Sequence, residues 1–261
     1  MLLAGKRLLI TGVLTPASIA AEIAAAAQRE GAEVVLTAFG RGRSLTERTA
    51  RRLDPVPPVL ELDVTNPDHF PALTRELQAL GDRIDGVVHA IAFAPADALG
   101  GNFLQTPWSS VATALQVSAY SLQALAVACL PLMREAGGSI VTLDFDARTA
   151  WPIYDWMGVA KASLESVVRY LARDLGRHRI RVNALAAGPL YTVAARGIPG
   201  FAAFPEAWAR QAPLGWDARD AAPVARSALA LLSDYLPATT GELIHVDGGY
   251  HAMGSPPLER P

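Results

Sequence analysis

The chain has 261 residues, of which 51% are hydrophobic and 18% are charged, so it holds enough apolar material for a core and too little charge for wholesale disorder. Its formal net charge is −2, which argues against a nucleic-acid-binding protein. The single cysteine, Cys129, excludes an internal disulfide and is typical of a reducing compartment. The five histidines lack metal-ligand spacing, so no metal site is predicted.

The N-terminal segment MLLAGKRLLITG lacks the basic region, long apolar stretch and cleavage site of a secretory signal peptide. No uninterrupted run of about 18 apolar residues is present, which argues against a membrane span. We therefore expect a cytoplasmic, metal-free protein that contacts neither nucleic acid nor membrane.

Apolar, strand-like runs alternate with helical patterns along the whole chain. The predicted strands are RLLITG, EVVLTAF, PVLELDV, DGVVHAIA, GGSIVTLDF, RVNALAAG and GELIHVDGG. They are almost continuously apolar, as expected for parallel strands that are covered on both faces. The sequence thus predicts an α/β fold, a single-domain Rossmann-type doubly wound sheet of about seven parallel strands with helices on both faces, over residues 1–261.

Three segments stand out from this rhythm. A long apolar helix is predicted from near Val111 to Met133, before strand five. Residues 191–216 combine apolar, Gly and Pro residues between strands six and seven. The tail, residues 251–261, ends in prolines and is expected to fray or to pack on a neighbouring subunit.

The first turn after a strand predicts a nucleotide site, because ligands of open α/β sheets bind at the carboxyl ends of the strands. Gly12 permits a sharp turn with close backbone approach. Ser18 and Ile19 begin the next helix, where a hydroxyl and free backbone N–H groups can hold a pyrophosphate. An ordinary helix cap is the alternative.

The second strand ends at Phe39, where many dinucleotide folds place an acid. Its ring can lie against an adenine, or it can simply fill the core. Arg41 and Arg43 follow and can pair with a 2′-phosphate, so NADPH is not excluded beside NADH.

The ends of strands three and four supply further candidates. Asp63 and Val64 offer a carboxylate and a backbone N–H that can read an adenine edge, although Asp63 can instead cap the next helix. Ile91 and Ala92 end strand four, where only small or apolar side chains let the backbone pass near a ribose.

The segment IYDWMGVAK places Tyr154 and Lys161 near the start of one predicted helix. They are seven residues apart, two helical turns, so both are expected to project from the same face. Short-chain dehydrogenases usually carry the tyrosine four residues before the lysine, where this chain has Met157. A displacement of one turn, about 5.4 Å along the axis, favours reduction of a conjugated C=C bond over that of a ketone.

The chemistry of an enoyl thioester explains that preference. Hydride adds to C3 while negative charge develops on the carbonyl oxygen, so the stabilising hydroxyl must lie farther from the hydride donor. Tyr154 is predicted to donate a hydrogen bond to the enolate, and Lys161 to hold ribose hydroxyls and keep the site positive. The serine of ketone reductases is missing at the end of strand five; Phe145 stands there and fits a packing role beside the hydride, or core packing alone.

The motifs that carry a family resemblance are GxxxxxSIA at Gly12, LELDV at Leu60, HAIAFAP at His89, VSAYSL at Val117, DFD at Asp144, Tyr154 with Lys161, AAGP at Ala186 and LPATTGELIHVDGG near the end. Through them nearly the whole chain resembles NADH-dependent enoyl-acyl-carrier-protein reductases of the short-chain dehydrogenase superfamily. The resemblance implies a homotetramer and an enoyl thioester substrate on acyl carrier protein or CoA. It implies cofactor contacts from Ser18, Ile19, Asp63, Val64, Ile91, Lys161 and the backbone after Pro189, here assigned to Leu190 and Thr192.

The resemblance also implies that Tyr154 faces the thioester carbonyl and that Phe145 packs beside the nicotinamide. Two positions depart from the family pattern. Tyr191 stands where relatives commonly have arginine, so contacts near the cofactor phosphates or the loop base are expected to differ. Ala92 replaces a glycine found in some relatives, which is a small change.

The substrate side is predicted to come from residues 191–216, whose glycines would let the segment move. The residues expected to line an acyl slot are Met157, Pro189, Val193, Ala194, Ile198, Phe201 and Phe204. A plain surface helix with a packed apolar face is the alternative. The segment looks shorter than its counterpart in one branch of the family, which favours short-to-medium acyl chains.

Two further functions stay open at this point. One is a carbonyl reductase, or an enoyl reductase of a specialised acyl pathway; the other is a catalytically idle dinucleotide-binding sensor. The apolar helices near Val111 and Ala160 suit a symmetric four-helix interface between subunits.

Overall fold

A parallel sheet of seven strands forms the centre of the protein, for which a computed structural model describes residues 1–255. The strands are Arg7–Ile10 (β1), Glu33–Ala38 (β2), Val59–Glu61 (β3), Gly86–His89 (β4), Gly138–Asp144 (β5), Ile180–Ala187 (β6) and Leu243–Val246 (β7). Their order is β3-β2-β1-β4-β5-β6-β7, and all neighbours run parallel. The order reverses between β1 and β4, the position at which open α/β sheets bind ligands.

Helices cover both faces of this sheet, as the sequence predicted. They are Ile19–Arg29 (α1), Arg43–Ala50 (α2), His69–Leu80 (α3), Trp108–Leu115 (α4), Ser121–Met133 (α5), Asp155–Leu175 (α6), Val193–Arg196 (α7), Ala203–Gln211 (α8) and Ala222–Leu232 (α9). Successive residues of a strand face opposite sides. In β1, Leu8 and Ile10 therefore pack with α1 and α9, while Leu9 packs with α3, α5 and α6. The predicted doubly wound fold is confirmed.

Three strands end earlier than the apolar runs suggested. β2 stops before Phe39, β3 stops before Asp63, and β4 stops before Ile91. Apolar residues continue past the last ladder hydrogen bonds because they line the carboxyl edge of the sheet instead of pairing within it. The predicted site residues thus lie in the loops that follow the strands, and not on the strands themselves.

Helices α4 and α5 are joined by a π-helical turn, Gln116–Tyr120, into one helix, Trp108–Met133. This helix is long and apolar enough to cross a membrane, with a mean hydropathy of 1.4, and 56% of its most apolar window is buried inside the protein. The sequence shows no uninterrupted apolar run here because polar residues such as Gln116, Ser118 and Ser121 interrupt it. The two serines are fully buried and hydrogen-bonded. A core helix and a spanning helix share this composition, so the expected absence of a membrane span stays a prediction.

The start of the predicted tail is anchored to the body of the protein. The ring of Tyr250 stacks on Trp208 with centroids 3.7 Å apart, and the His251 ring stacks on His245 at the same distance. The expected fraying or subunit contact of the end of the tail concerns residues 256–261, which lie outside the described residues.

The turn after β1 requires glycine for two independent reasons. Gly12 has a left-handed backbone with φ of 79°, which L side chains adopt at a cost. A Cβ on Gly12 would also lie 2.0 Å from the carbonyl oxygen of Ala90, which follows β4. The backbones that follow β1 and β4 therefore approach each other so closely that only glycine fits at position 12.

The substitution Gly12→Ala tests this close approach against a matched control. Gly5 has a similar φ of 73°, but nothing lies within 4 Å of its Cβ position. Gly5→Ala should cost only the backbone term, about 1–2 kcal/mol of the free energy of unfolding. Gly12→Ala should cost at least about 2 kcal/mol more in urea denaturation, because backbone must move. Equal losses in the two variants would contradict the account.

Candidate active site

A cavity of about 780 Å³ opens at the carboxyl edge of the sheet, between β1 and β4. Its volume lies in the usual range for sites that bind small molecules and cofactors. Of the residues predicted to bind a cofactor, it is lined by Gly12, Ser18, Ile19, Phe39, Asp63, Val64, Ile91, Ala92 and Thr192. Leu190 is buried beside a separate depression of about 300 Å³, and Lys161 lies behind Leu143, which lines the main cavity.

The first turn presents hydrogen-bond donors to this cavity. The Oγ of Ser18 accepts bonds from the N–H groups of Leu14 (3.1 Å) and Thr15 (3.0 Å), which holds the turn in place. Both lone pairs are then used, and the hydroxyl proton is left to donate. Ser18 is the N-cap residue of α1, but its hydroxyl accepts from the preceding turn and not from the helix. The leading N–H groups of α1, from Ile19 and Ala20, have no partner among residues 1–255 and suit an anion.

The two arginines after β2 differ in their surroundings, because Arg41 lines the cavity whereas Arg43 is bound within the protein. Phe39 is 50% exposed and lines the cavity, so the core-filling alternative is wrong. The Arg43 guanidinium donates to Glu61 (2.7 Å), Glu47 (3.0 Å) and the backbone oxygen of Val59 (3.0 Å). These two carboxylates raise the pKa of Arg43. Arg43 is therefore engaged within the protein and poorly placed to bind a 2′-phosphate.

The loop after β3 closes a tight turn. The Oδ1 of Asp63 accepts from the N–H (2.9 Å) and the hydroxyl (2.7 Å) of Thr65. Asp63 therefore does not cap α3, whose N-cap position is Asp68, and that alternative is wrong. The N–H of Asp63 donates to His69 at 2.9 Å. The N–H of Val64, which has no partner within the described residues, is the backbone donor left for a ligand.

Tyr154 does not occupy the helical position that its spacing suggested. It is the N-cap residue of α6, and its carbonyl oxygen accepts from Met157 N at 3.0 Å. The residues on either side, Ile153 (φ 61°) and Asp155 (φ 44°), have left-handed backbones. The chain therefore bends sharply on both sides of Tyr154, and the argument from two turns of regular helix is wrong in detail.

A neighbouring loop holds this bend. The Oδ2 of Asp155 accepts from Gly101 N (2.6 Å) and Asn102 N (3.1 Å), and the carbonyl oxygen of Ile153 accepts from Gly100 N (2.9 Å). A left-handed backbone at a β-branched residue is strained and persists only where the surroundings fix it. Loop 100–102 supplies those contacts.

The side chain of Tyr154 lies in a small apolar cluster and is only 8% exposed. Phe145 packs edge-on against its ring with centroids 5.2 Å apart, and Met157 and Ile198 belong to the same cluster. The hydroxyl makes no hydrogen bond within residues 1–255. Burial, and secondarily the charge of Asp144, raise the pKa of Tyr154, so the hydroxyl stays protonated and can donate.

Lys161 is buried one step behind the cavity wall. Its Nζ donates to the carbonyl oxygen of Leu143 at 2.9 Å and lies 3.6 Å from Oδ1 of Asp144. Burial lowers the pKa of Lys161, and the Asp144 carboxylate opposes that shift. The sequence suggested no role for Asp144, although its position in the strand directly before Phe145 was available as a signal.

An aromatic cluster that the sequence analysis missed backs the site. Phe145 contacts Trp151 (5.1 Å between centroids), Trp151 contacts Trp208 (5.3 Å), and Trp208 stacks on Tyr250. Phe204 touches the first three of these rings. The available signal was the large aromatic residues Phe145, Trp151 and Tyr250, which follow β5 and β7.

The residues predicted to line an acyl slot are only partly brought together. Val193 and Ala194 line the cavity, whereas Met157 and Ile198 pack in the cluster around Tyr154. Phe201 packs edge-on against Tyr191, with ring centroids 5.8 Å apart.

The remaining members of the predicted slot have other partners. Pro189 contributes its carbonyl oxygen to Trp216 Nε1 at 2.8 Å, and Phe204 joins the aromatic cluster. Helix α8 buries only Trp208 among its residues, which fits the alternative of a surface helix with a packed apolar face.

The family model described as enoyl-(acyl carrier protein) reductase matches residues 12–251. The chain is 48% identical to a protein of Mycolicibacterium smegmatis named enoyl-acyl-carrier-protein reductase (NADH), covering 95% of this chain and 97% of the relative. It is 44% identical to the protein of the same name from Mycobacterium avium, with the same coverage, and 39% identical to one from Aquifex aeolicus, with coverage of 97% and 94%. The chain therefore belongs to the enoyl-(acyl carrier protein) reductase family.

Proposed function

We propose that this protein is an NADH-dependent enoyl-acyl-carrier-protein reductase of type II fatty acid synthesis, which reduces the trans-2 double bond of an enoyl thioester. The observation that carries the proposal is the place of Tyr154, before α6 and edge-on against Phe145, while Met157 occupies the tyrosine position of ketone reductases. The names of the full-length relatives support the same reaction.

The residues at the cavity fit NADH. The N–H groups of Ile19 and Ala20, which have no partner within residues 1–255, suit a pyrophosphate. Phe39 offers a ring for the adenine. Arg43 is already paired but Arg41 lines the cavity, so the preference for NADH over NADPH rests on the names of the relatives. When bound, NADH supplies the hydride that adds to C3 of the enoyl thioester.

Tyr154 donates its hydroxyl to the thioester carbonyl oxygen as negative charge develops there. The hydroxyl of this largely buried residue has no partner within residues 1–255 and so keeps its hydrogen bond for that oxygen, and the apolar surroundings strengthen the bond. Lys161 holds a positive charge behind the site and reaches toward the ribose, and Phe145 fixes the Tyr154 ring by an edge contact.

Replacement of Tyr154 by phenylalanine tests this role. Loss of one such donor should lower kcat by about 10²–10³-fold with crotonyl thioester, followed as NADH oxidation at 340 nm. The affinity for NADH should change little, because the ring and its packing on Phe145 remain. Tyr235→Phe is the matched control, since Tyr235 is exposed and lies outside both the cavity and the helices assigned to subunit contacts.

The same assay separates the alternative functions. Oxidation of NADH with acetoacetyl thioester but not with crotonyl thioester would indicate a carbonyl reductase and overturn the proposal. Binding of NADH without turnover of either substrate would indicate a sensor.

The whole chain is proposed to form a single domain. Within it, residues 191–216 are proposed to hold the acyl chain of the substrate. The aromatic rings of Trp151, Phe204 and Trp208 fill the space beyond Phe145, so a long chain meets a closed wall. The protein should therefore prefer short-to-medium chains.

Enoyl substrates of C4, C8 and C16 test the chain-length preference. The value of kcat/KM should be lower for C16 than for C4 and C8. Trp151→Ala should raise the C16 to C8 ratio by about tenfold, since removal of one apolar obstacle changes discrimination on that order. Comparable values for all three chain lengths in the native protein would contradict the preference.

Subunit assembly and location complete the proposal. Exposed apolar side chains at Tyr120, Val127 and Tyr170 lie on the helices that the sequence assigned to a four-helix interface. We expect a cytoplasmic homotetramer that acts on thioesters of acyl carrier protein or CoA.

Light scattering after size-exclusion chromatography tests the assembly. The mass should be close to four times the 27.6 kDa of one chain. A monomer at micromolar concentration would contradict it.

A further inference from the structure

A buried carboxylate lies directly behind the proposed catalytic pair. Asp144 is the last residue of β5, and its side chain has no exposed surface. Neither of its carboxylate oxygens accepts a hydrogen bond of ordinary geometry within residues 1–255. Burying an ionised carboxylate without hydrogen bonds costs free energy, so a positive charge nearby is needed to compensate it. The only positive group within 4 Å in the described residues is the ammonium of Lys161, at 3.6 Å.

The position of Lys161 makes this pair relevant to the site. Its ammonium has three N–H donors. One donates to Leu143, whose side chain helps line the cavity, and another side of the group faces Asp144. One donor is then left for the ribose hydroxyls that Lys161 is proposed to hold. Two fixed neighbours thus limit where a flexible lysine side chain can place its nitrogen.

We infer that Asp144 is a positioning residue for enoyl reduction, whose buried carboxylate keeps the Lys161 ammonium charged and fixed at the wall of the cofactor cavity. This inference rests on the proposed function, because it assigns Lys161 to the cofactor ribose.

The other titratable groups that face the pair do not supply this charge. Burial raises the pKa of Asp144 to about 7, the charge of Lys161 opposes that shift, and Glu165, on α6, adds to it. Glu165 also accepts a bond from Ala147 N at 3.2 Å. His89, at the end of β4, has its pKa lowered to about 3 by burial and by the charge of Lys161, so it is neutral. Tyr154 is neutral as well.

The sign of the effect follows from these surroundings. Burial lowers the pKa of Lys161 and the Asp144 carboxylate raises it. Removing the carboxylate charge must therefore make Lys161 lose its proton at lower pH. Affinity for NADH that depends on the ammonium should then be kept at acidic pH and lost earlier as pH rises.

The test uses the full-length protein and measures the dissociation constant of NADH by fluorescence between pH 6 and 10, without enoyl substrate. Asp144→Asn should match the native protein at the acidic end, and its loss of affinity should begin about one pH unit lower or more. Asp144→Ser is a second uncharged variant if the amide folds poorly. Asp146→Asn is the matched control: it makes the same change two residues along, where the partner is His245 at 2.9 Å, and should leave the pH profile in place.

A double-mutant cycle with Lys161→Met identifies the partner. In that background Asp144→Asn should change NADH affinity by less than about twofold and should raise the melting temperature, because it removes a stranded buried carboxylate. A native pH profile in both uncharged Asp144 variants would overturn the inference, as would an equal loss of affinity with and without Lys161. Since the readout is binding of NADH alone, failure of enoyl turnover leaves this test intact.

Discussion

The site depends on one constraint, the sharply bent backbone of residues 153–155. Left-handed conformations at Ile153 and Asp155 hold Tyr154 outside the regular path of α6, and loop 100–102 fixes them with three hydrogen bonds. The ring of Tyr154 then meets Phe145 at the end of β5. Strain of this kind is retained where the surroundings enforce it, and here it places the one hydroxyl on which the proposed chemistry relies.

Two regions of the fold have different proposed roles in the site: the ends of β1 to β4, and the end of β5 with the start of α6. The carboxyl ends of β1 to β4 form the cofactor cavity from backbone turns and small side chains, because parallel strands bring their ends to one edge. The end of β5 and the start of α6 supply the side chains that are proposed to act in the reaction. Charge is concentrated behind that second region, in the buried pair of Asp144 and Lys161. The N–H groups proposed to bind the cofactor phosphates therefore lie in a different region from the charged pair of Asp144 and Lys161.

The fold and much of the cavity could be predicted because they depend on local patterns. Continuous apolar runs between helical segments specify a covered parallel sheet, and Gly12, Ser18 and Asp63 follow strand ends in the sequence as they do in space. Strand lengths were overestimated for the same reason, since apolar residues such as Ile91 serve the cavity after the ladder has ended.

Features set by long-range contacts could not be read from spacing. A seven-residue interval gave no sign that Asp155 adopts a positive φ, because its carboxylate bonds to a loop more than fifty residues away. The cluster of Trp151, Trp208 and Tyr250 joins three distant segments, and the pairing of Asp144 with Lys161 joins a strand end to a helix. The most direct test of the central claim is reduction of crotonyl thioester with NADH carrying deuterium at C4 of the nicotinamide, with the product examined by NMR. The account predicts deuterium at C3 of a saturated thioester; deuterium at the carbonyl carbon would contradict it.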